Sequence, residues 1–182
     1  YDFKVEVPVY HVLHRASNDL CPENPLHRSQ GRWIINIHIY PYQRCHVIRL
    51  CVMASGSAGN AILIETDQVK ILIDVGISGR RLERKLEAYG IKTSELTGVI
   101  VTHEHIDHVR GLKALAKRGV PVFINPGTFA ALTDRSGSHL LQDCESDTSF
   151  HAIEPGQTFD VGPITFNPFS VSHDAVNPIG VS

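Results

Sequence analysis

The stretch Thr102-His103-Glu104-His105-Ile106-Asp107-His108 constrains this chain more than any other feature, because it sets three histidines and an aspartate within six consecutive positions. It follows the hydrophobic run Gly98-Val99-Ile100-Val101 and leads into a segment with helical spacing. With 11 His and 10 Asp in 182 residues, the pattern H-x-H-x-D-H arises by accident with a probability on the order of two in a thousand. Clustered imidazoles and a carboxylate are costly to bury unless they share a partner, so the pattern predicts a metal site. On an extended segment His103 and His105 project to one side and Glu104 to the other, where a structural role is expected of it. Asp107 and His108 fall at the start of the helix, where the turn can fold them back toward the same space. Imidazole nitrogens with one carboxylate and no thiolate suit zinc first, with manganese, iron and cobalt also compatible.

The chain around this stretch predicts an α/β layering. Residues 48–54, 61–66 and 69–74 read as three buried strands in a meander, separated by the glycine-rich turn Ser55-Gly56-Ser57-Ala58-Gly59-Asn60 and by Asp67-Gln68. That first turn lacks the G-x-x-x-x-G-K-[ST] order of a phosphate loop and is followed by a strand, so it reads as a plain turn. A helix is expected from Gly76-Ile77-Ser78-Gly79 to about Tyr89, with Leu82, Leu86 and Tyr89 at i, i+4, i+7 and Gly90 as its stop. Its other face carries Arg80, Arg81, Arg84 and Lys85, read as a solvated face that could also meet phosphate. Strand 98–101, a helix over 109–118 stopped by Gly119, strand 120–124 and a helix from Pro126 to about Arg135 continue the alternation. After a polar stretch at 136–149, strands at 150–153, 157–161 and 164–171 read as the beginning of a second meander that ends at Ser172-His173-Asp174.

Residues 1–47 are less informative and are taken as an extension of uncertain structure, ahead of a domain over 48–182. An edge strand is expected at Phe3 to Val9, a loop from Asn18 to Arg32, and a short strand from Trp33 to Tyr40. His11, His14, His27, His38 and His46 stand at no ligand spacing and read as surface or locally paired imidazoles. Tyr1 at the start and Val181-Ser182 at the end are expected to be fragment boundaries, since the one methionine is Met53.

A chain of 182 residues that is 42% hydrophobic and 20% charged can build one core and is not compositionally disordered. Its formal net charge of -2 provides no global attraction to nucleic acid, so any such contact needs a local patch. Cys21, Cys45, Cys51 and Cys144 form no C-x-x-C pair and read as free thiols of a reducing compartment. Apolar runs stop far short of the roughly 20 residues that span a bilayer. The expectation is a soluble cytoplasmic protein with no membrane partner.

A bound divalent ion lowers the pKa of its water toward neutrality, and two adjacent ions can clamp the attacking and leaving oxygens of a displacement. The chemistry expected of the stretch is therefore hydrolysis, with Asp107 ligating one metal and orienting the water or handling its proton.

T-H-x-H-x-D-H after a hydrophobic strand, with Leu72-Ile73-Asp74-Val75-Gly76 ahead of it, resembles the metallo-β-lactamase superfamily. Residues 54–60, Asp107-His108-Val109-Arg110-Gly111 and Ser172-His173-Asp174-Ala175 are similar to its WalJ-like (YycJ-like) bacterial branch, and the resemblance covers 48–182. It implies an αββα sandwich of two similar halves, here the first half and the start of the second, with the metals at the sheet edge. His103, His105 and His173 would hold the first metal, Asp107 and His108 would begin the second site, and Asp74 would brace the ligand loop. The family's later bridging aspartate and later histidine would lie beyond Ser182. The branch implies phosphodiester hydrolysis, a 5′-to-3′ exonuclease acting on DNA with two divalent ions, zinc or manganese. Hydrolysis of small esters, thioesters or lactones on the same scaffold, and a non-catalytic metal-stabilised regulatory domain, are the alternatives.

Overall fold

The computed structural model describes residues 26–29, 32–37, 46–134, 140, 141, 144 and 150–182. The edge strand expected at Phe3 to Val9, His11, His14, His38, Cys21, Cys45 and most of the polar stretch 136–149 lie outside the described residues.

Eight strands form one sheet in sequential order: β1 (Leu26–Ser29), β2 (Arg32–Ile37), β3 (His46–Ala54), β4 (Ala61–Glu65), β5 (Lys70–Ile73), β6 (Gly98–Val101), β7 (Val122–Ile124) and β8 (Phe150–Ala152). β1 through β5 pair antiparallel. From β5 onward the pairing is parallel, and each crossover carries a helix, as parallel neighbours require. These helices are α1 (Gly79–Glu87), the two short helices α2 (Ile106–Val109) and α3 (Leu112–Ala116), and α4 (Pro126–Thr133). β6 is buried along its whole length, which is why it reads as an unbroken apolar run rather than an alternating one.

Alternation of side chains divides the sheet between two cores. On one face Leu72, Val99, Val101 and Val122 pack with Leu82 and Leu86 of α1, Leu112 and Leu115 of α3 and Leu132 of α4. On the other, Ile71, Ile100 and Ile153 pack with Val161, Phe166 and Ile179. The last three residues come from two small antiparallel pairs, β9 (Phe159–Val161) with β10 (Ile164–Phe166), and β11 (Pro168–Ser170) with β12 (Ile179–Val181). The order of layers is thus helices, large sheet, small sheets, an α–β–β stack.

Several expectations are corrected. Residues 26–29, assigned to a loop, pair with β2 in a register, Ser29 opposite Arg32, that leaves two residues between the strands, the shortest hairpin connection. The expected helix 109–118 is two pieces, because Gly111 N–H donates to Val75 O (2.8 Å). A Cβ at Gly111 would stand 2.4 Å from Ile77 O, so the chain runs close against the β5–α1 turn there. β8 joins the first sheet beside β7 instead of opening the second meander. The expected strand 164–171 is divided at Asn167, whose N–H turns to Ser182 O (2.9 Å). β12, not foreseen, pairs back onto β11.

Candidate metal centre

The centre is built where the parallel strands end. β5 ends at Ile73, and Asp74 next to it has a left-handed backbone (φ 59°), the one non-glycine residue with positive φ among those described. Aspartate tolerates that region better than most residues. The turn directs the carboxylate along the neighbouring strand end: Oδ1 accepts Thr102 N–H (2.9 Å), and Oδ2 accepts Thr102 Oγ1–H (2.8 Å) and faces His108 Nδ1 (2.7 Å). β6 runs out at Val101, and the next residues present His103, His105, Asp107 and His108 in the order of the sequence stretch.

The hydrogen-bond partners assign the proton on each imidazole. Thr102 gives its hydroxyl proton to Asp74, so its oxygen accepts from His103 Nδ1 (2.9 Å) and His103 Nε2 is left bare. His105 Nε2 faces the carbonyl of Asp174 (3.1 Å); a carbonyl only accepts, so Nδ1 keeps the lone pair. His173 Nδ1 faces the Asp174 carboxylate (3.1 Å), which leaves its Nε2 bare. His105 Nδ1 and His173 Nε2 are 3.2 Å apart. The rings of His103 and His173 meet edge-on at a centroid distance of 4.8 Å.

His103 Nε2 is buried and, among the described residues, has no hydrogen-bond partner, an arrangement that natural interiors avoid unless another species takes the lone pair. Burial, reinforced by the charge of His108, holds the pKa of His103 down to about 4, so the ring is neutral at pH 7 and ready to donate. Ligand atoms of His103, His105 and His173 lie within 4.8 Å of one another. A tetrahedral zinc ion with bonds of about 2.05 Å holds its nitrogen ligands roughly 3.3 Å apart, a spacing that the His105–His173 pair already has. The orphaned nitrogen, the assigned tautomers and this spacing all fit a divalent cation.

Beside this trio stands a second pair. Asp107 Oδ2 is 3.6 Å from His108 Nε2. Burial works against the charged form of His108, but the hydrogen bond and charge of Asp74, with the charge of Asp107, outweigh it and hold the pKa above the usual histidine value. Asn60 completes the surroundings. Its Oδ1 accepts Gly56 N–H (2.9 Å), which turns its amide nitrogen toward Asp107 Oδ2 (3.1 Å) and His108 Nε2 (3.0 Å). Its backbone N–H also donates to Asp107 O (2.7 Å). The glycine-rich turn is therefore more than a plain connection: it delivers Asn60 to the pair. Sequence reading missed this role because the partners stand 47 and 48 residues away, and an asparagine closing a glycine-rich turn carries no sign of them.

Among the described residues, then, the structure brings together all six positions singled out in the sequence: His103, His105 and His173 as a trio, Asp107 and His108 as a pair, and Asp74 behind both. The Beta-lactamase superfamily domain profile matches residues 69–181. The chain belongs to the metallo-β-lactamase superfamily. It is 35% identical over 133 residues to the exodeoxyribonuclease YycJ of Bacillus anthracis, covering 72% of this chain and 48% of that protein. It is 37% identical over 128 residues to the exodeoxyribonuclease WalJ of Streptococcus pneumoniae, covering 70% and 46%. The chain spans about half the length of these curated relatives. Among solved structures, the metallo-β-lactamase fold protein YhfI from Bacillus subtilis superposes with a TM-score of 0.56 at 20% identity, over 74% of this chain and 56% of that one. The metallo-β-lactamase fold accounts for the α–β–β layering.

Proposed function

We propose that this protein is a metal-dependent phosphodiesterase, a DNA exonuclease acting in the 5′-to-3′ direction, within a metallo-β-lactamase domain over 48–182. The observation that carries the metal is the buried Nε2 of His103, unpartnered among the described residues, on a ring whose centroid lies 4.7 Å from that of His105 and 4.8 Å from that of His173. In this reading those three residues hold the first cation, Asp107 and His108 contribute to a second, and Asp74 orients His108. Zinc is the first choice because the trio offers only imidazole nitrogen, and manganese is the second.

A bound divalent ion would supply Lewis acidity and a water of lowered pKa. The chain's own residues do the rest. Thr102 and Asp74 fix which nitrogens of His103 and His108 carry protons, and Asp174 does the same for His105 and His173. Asp107, partly exposed at the rim and held through Oδ2 by the Asn60 amide, is placed to accept a proton. Its backbone is fixed separately, through Asn60 N–H.

Support for DNA as substrate comes from the two relatives, both exodeoxyribonucleases. The exposed guanidinium groups of Arg80, Arg81 and Arg84 on α1 provide a local patch of the sign a phosphate backbone requires. A cytoplasmic location is inferred from the free, buried thiols of Cys51 and Cys144. Among the described residues no helix is long and apolar enough to cross a membrane.

The test is release of terminal nucleotides from 5′-labelled DNA with zinc or manganese present. Activity should vanish with a chelator and fall by at least about 100-fold in His105→Ala. Cleavage that persists without metal overturns the mechanism. Turnover of thioesters or lactones with intact DNA at the end of the assay overturns the substrate class.

A further inference from the structure

Glu104 stands between two residues of the histidine trio, yet its side chain points away from them, as alternation along an extended segment requires. Its Oε1 accepts the backbone N–H of Val176 (2.8 Å). Its Oε2 is buried and, among the described residues, without a partner, so that oxygen is removed from water and the side chain is held by the one bond through Oε1.

Val176 belongs to the loop that carries His173. The loop leaves β11 after Ser170 and enters β12 at Ile179. At its base, Val171 N–H donates to Pro178 O (3.1 Å) and Ile179 N–H to Thr102 O (3.0 Å). Asn177 is fastened beside the base, its amide donating to Asn125 Oδ1 (3.2 Å) and its carbonyl accepting Thr128 Oγ1–H (3.4 Å). The arc from His173 to Val176 is different. His173, Asp174 and Val176 are all exposed, so packing does little to fix them. Among the described residues, two hydrogen bonds hold the backbone of the arc to the end of the first sheet, from residues one apart, His105 Nε2 to Asp174 O (3.1 Å) and Glu104 Oε1 from Val176 N–H (2.8 Å), beside the ring contact of His105 Nδ1 with His173 Nε2 (3.2 Å). The first comes from a trio histidine, whose ring would also be committed to the cation. The second is independent of the trio.

We infer that Glu104 is a positioning residue for the metal centre, the strut that holds the His173 loop against the end of β6 so that the third imidazole completes the trio. This rests on reading His103, His105 and His173 as a cation site. The role needs an acceptor oxygen at Oε1 and does not need the charge. Glutamine keeps that oxygen, and its amide would occupy the place of an oxygen that already lacks a partner. Alanine removes the strut.

The test is zinc affinity of the full chain, by competition with a chromophoric chelator, together with the melting temperature of the metal-free protein. Glu104→Ala should weaken zinc binding about 10-fold or more, in the range typical of groups that orient metal ligands, while Glu104→Gln stays near wild type. His173→Ala should weaken it further, and the double variant Glu104→Ala/His173→Ala should bind no more weakly than His173→Ala alone. An intact metal-free melting transition in Glu104→Ala separates positioning from folding. Zinc binding by the wild type that is weakened by His173→Ala but not by Glu104→Ala overturns the strut and leaves the cation site standing. Additive losses in the double variant also overturn it, as does a Glu104→Gln variant as weak as alanine. A wild-type chain that binds no zinc overturns both readings.

Discussion

Asp74 shows how one side chain sets the electrostatics of its neighbours. It accepts from the backbone and hydroxyl of Thr102 and faces His108 Nδ1 at 2.7 Å. Replacing it with asparagine keeps the size and tolerates the left-handed backbone but removes the charge. Burial of His108 remains, and burial lowers the pKa of an imidazole. In metal-free Asp74→Asn the pKa of His108 should therefore drop below its wild-type value, read from the imidazole NMR shifts across a pH series. The stability consequence has a definite sign. A histidine whose pKa is raised on folding adds stability that is fully present below its unfolded value of 6.5 and is lost as pH rises through the folded value. The wild type's advantage over Asp74→Asn should thus be larger in urea melts below pH 6.5 than well above it. His105→Ala, which removes an inward-facing lone pair without touching this network, should reduce bound zinc at equal free metal, and unchanged metal content would exclude His105 as a ligand. The histidine cluster was visible in the sequence because two-residue spacing carries its own geometry. The partners of Asn60 and Glu104 were not, since each acts on a segment at least 47 residues away that only the fold brings near.

Elements meet at the centre through backbone, and glycine is what lets them. A Cβ on Gly76 would lie 1.5 Å from Asp107 O and 2.5 Å from Asn60 N, so the β5–α1 turn, the glycine-rich turn and the start of α2 are in contact at that one position. Gly76 N–H donates to Asn60 O, and Val75 N–H to His108 O, each at 2.7 Å. Gly76→Ala must push these three segments apart, so it should cost about 3 kcal/mol or more in a denaturant titration and lower zinc affinity as well. Gly90 supplies the contrast. It follows α1 at φ 71°, and a Cβ placed there would meet nothing within 4 Å. Alanine at that position should cost only about 1–2 kcal/mol of backbone strain, with zinc binding unchanged. The same contacts explain which elements were legible. Helix α1 and strands β4 to β6 carry their pattern locally in apolar spacing. The break at Gly111 and the division at Asn167 arise where a backbone N–H finds a distant carbonyl, and apolar periodicity runs through both without a mark.

Across the whole molecule, the histidine trio spans two layers. His103 and His105 follow β6 of the large sheet, whereas His173 lies in the loop of the small β11–β12 sheet, which packs on it through Ile179. A cation held by all three is a link between layers that the unfolded chain cannot form, so its binding free energy adds to folding stability. At free zinc about 100 times the dissociation constant the gain is roughly 2.7 kcal/mol. The metal-free protein should melt at a lower temperature than the zinc-loaded one, and a chelator should reverse the difference. The increment should depend on the link rather than on having some ligands present. His173→Ala leaves two histidines on the large sheet, so it should still bind zinc weakly but lose most of the thermal gain at the same free concentration. Equal gains in wild type and His173→Ala would mean that the cation sits on the large sheet alone and does not join the layers. The layered class could be read from alternating strands and helices, but this coupling could not, because it requires knowing that β12 returns to Thr102 and closes the small sheet over the large one.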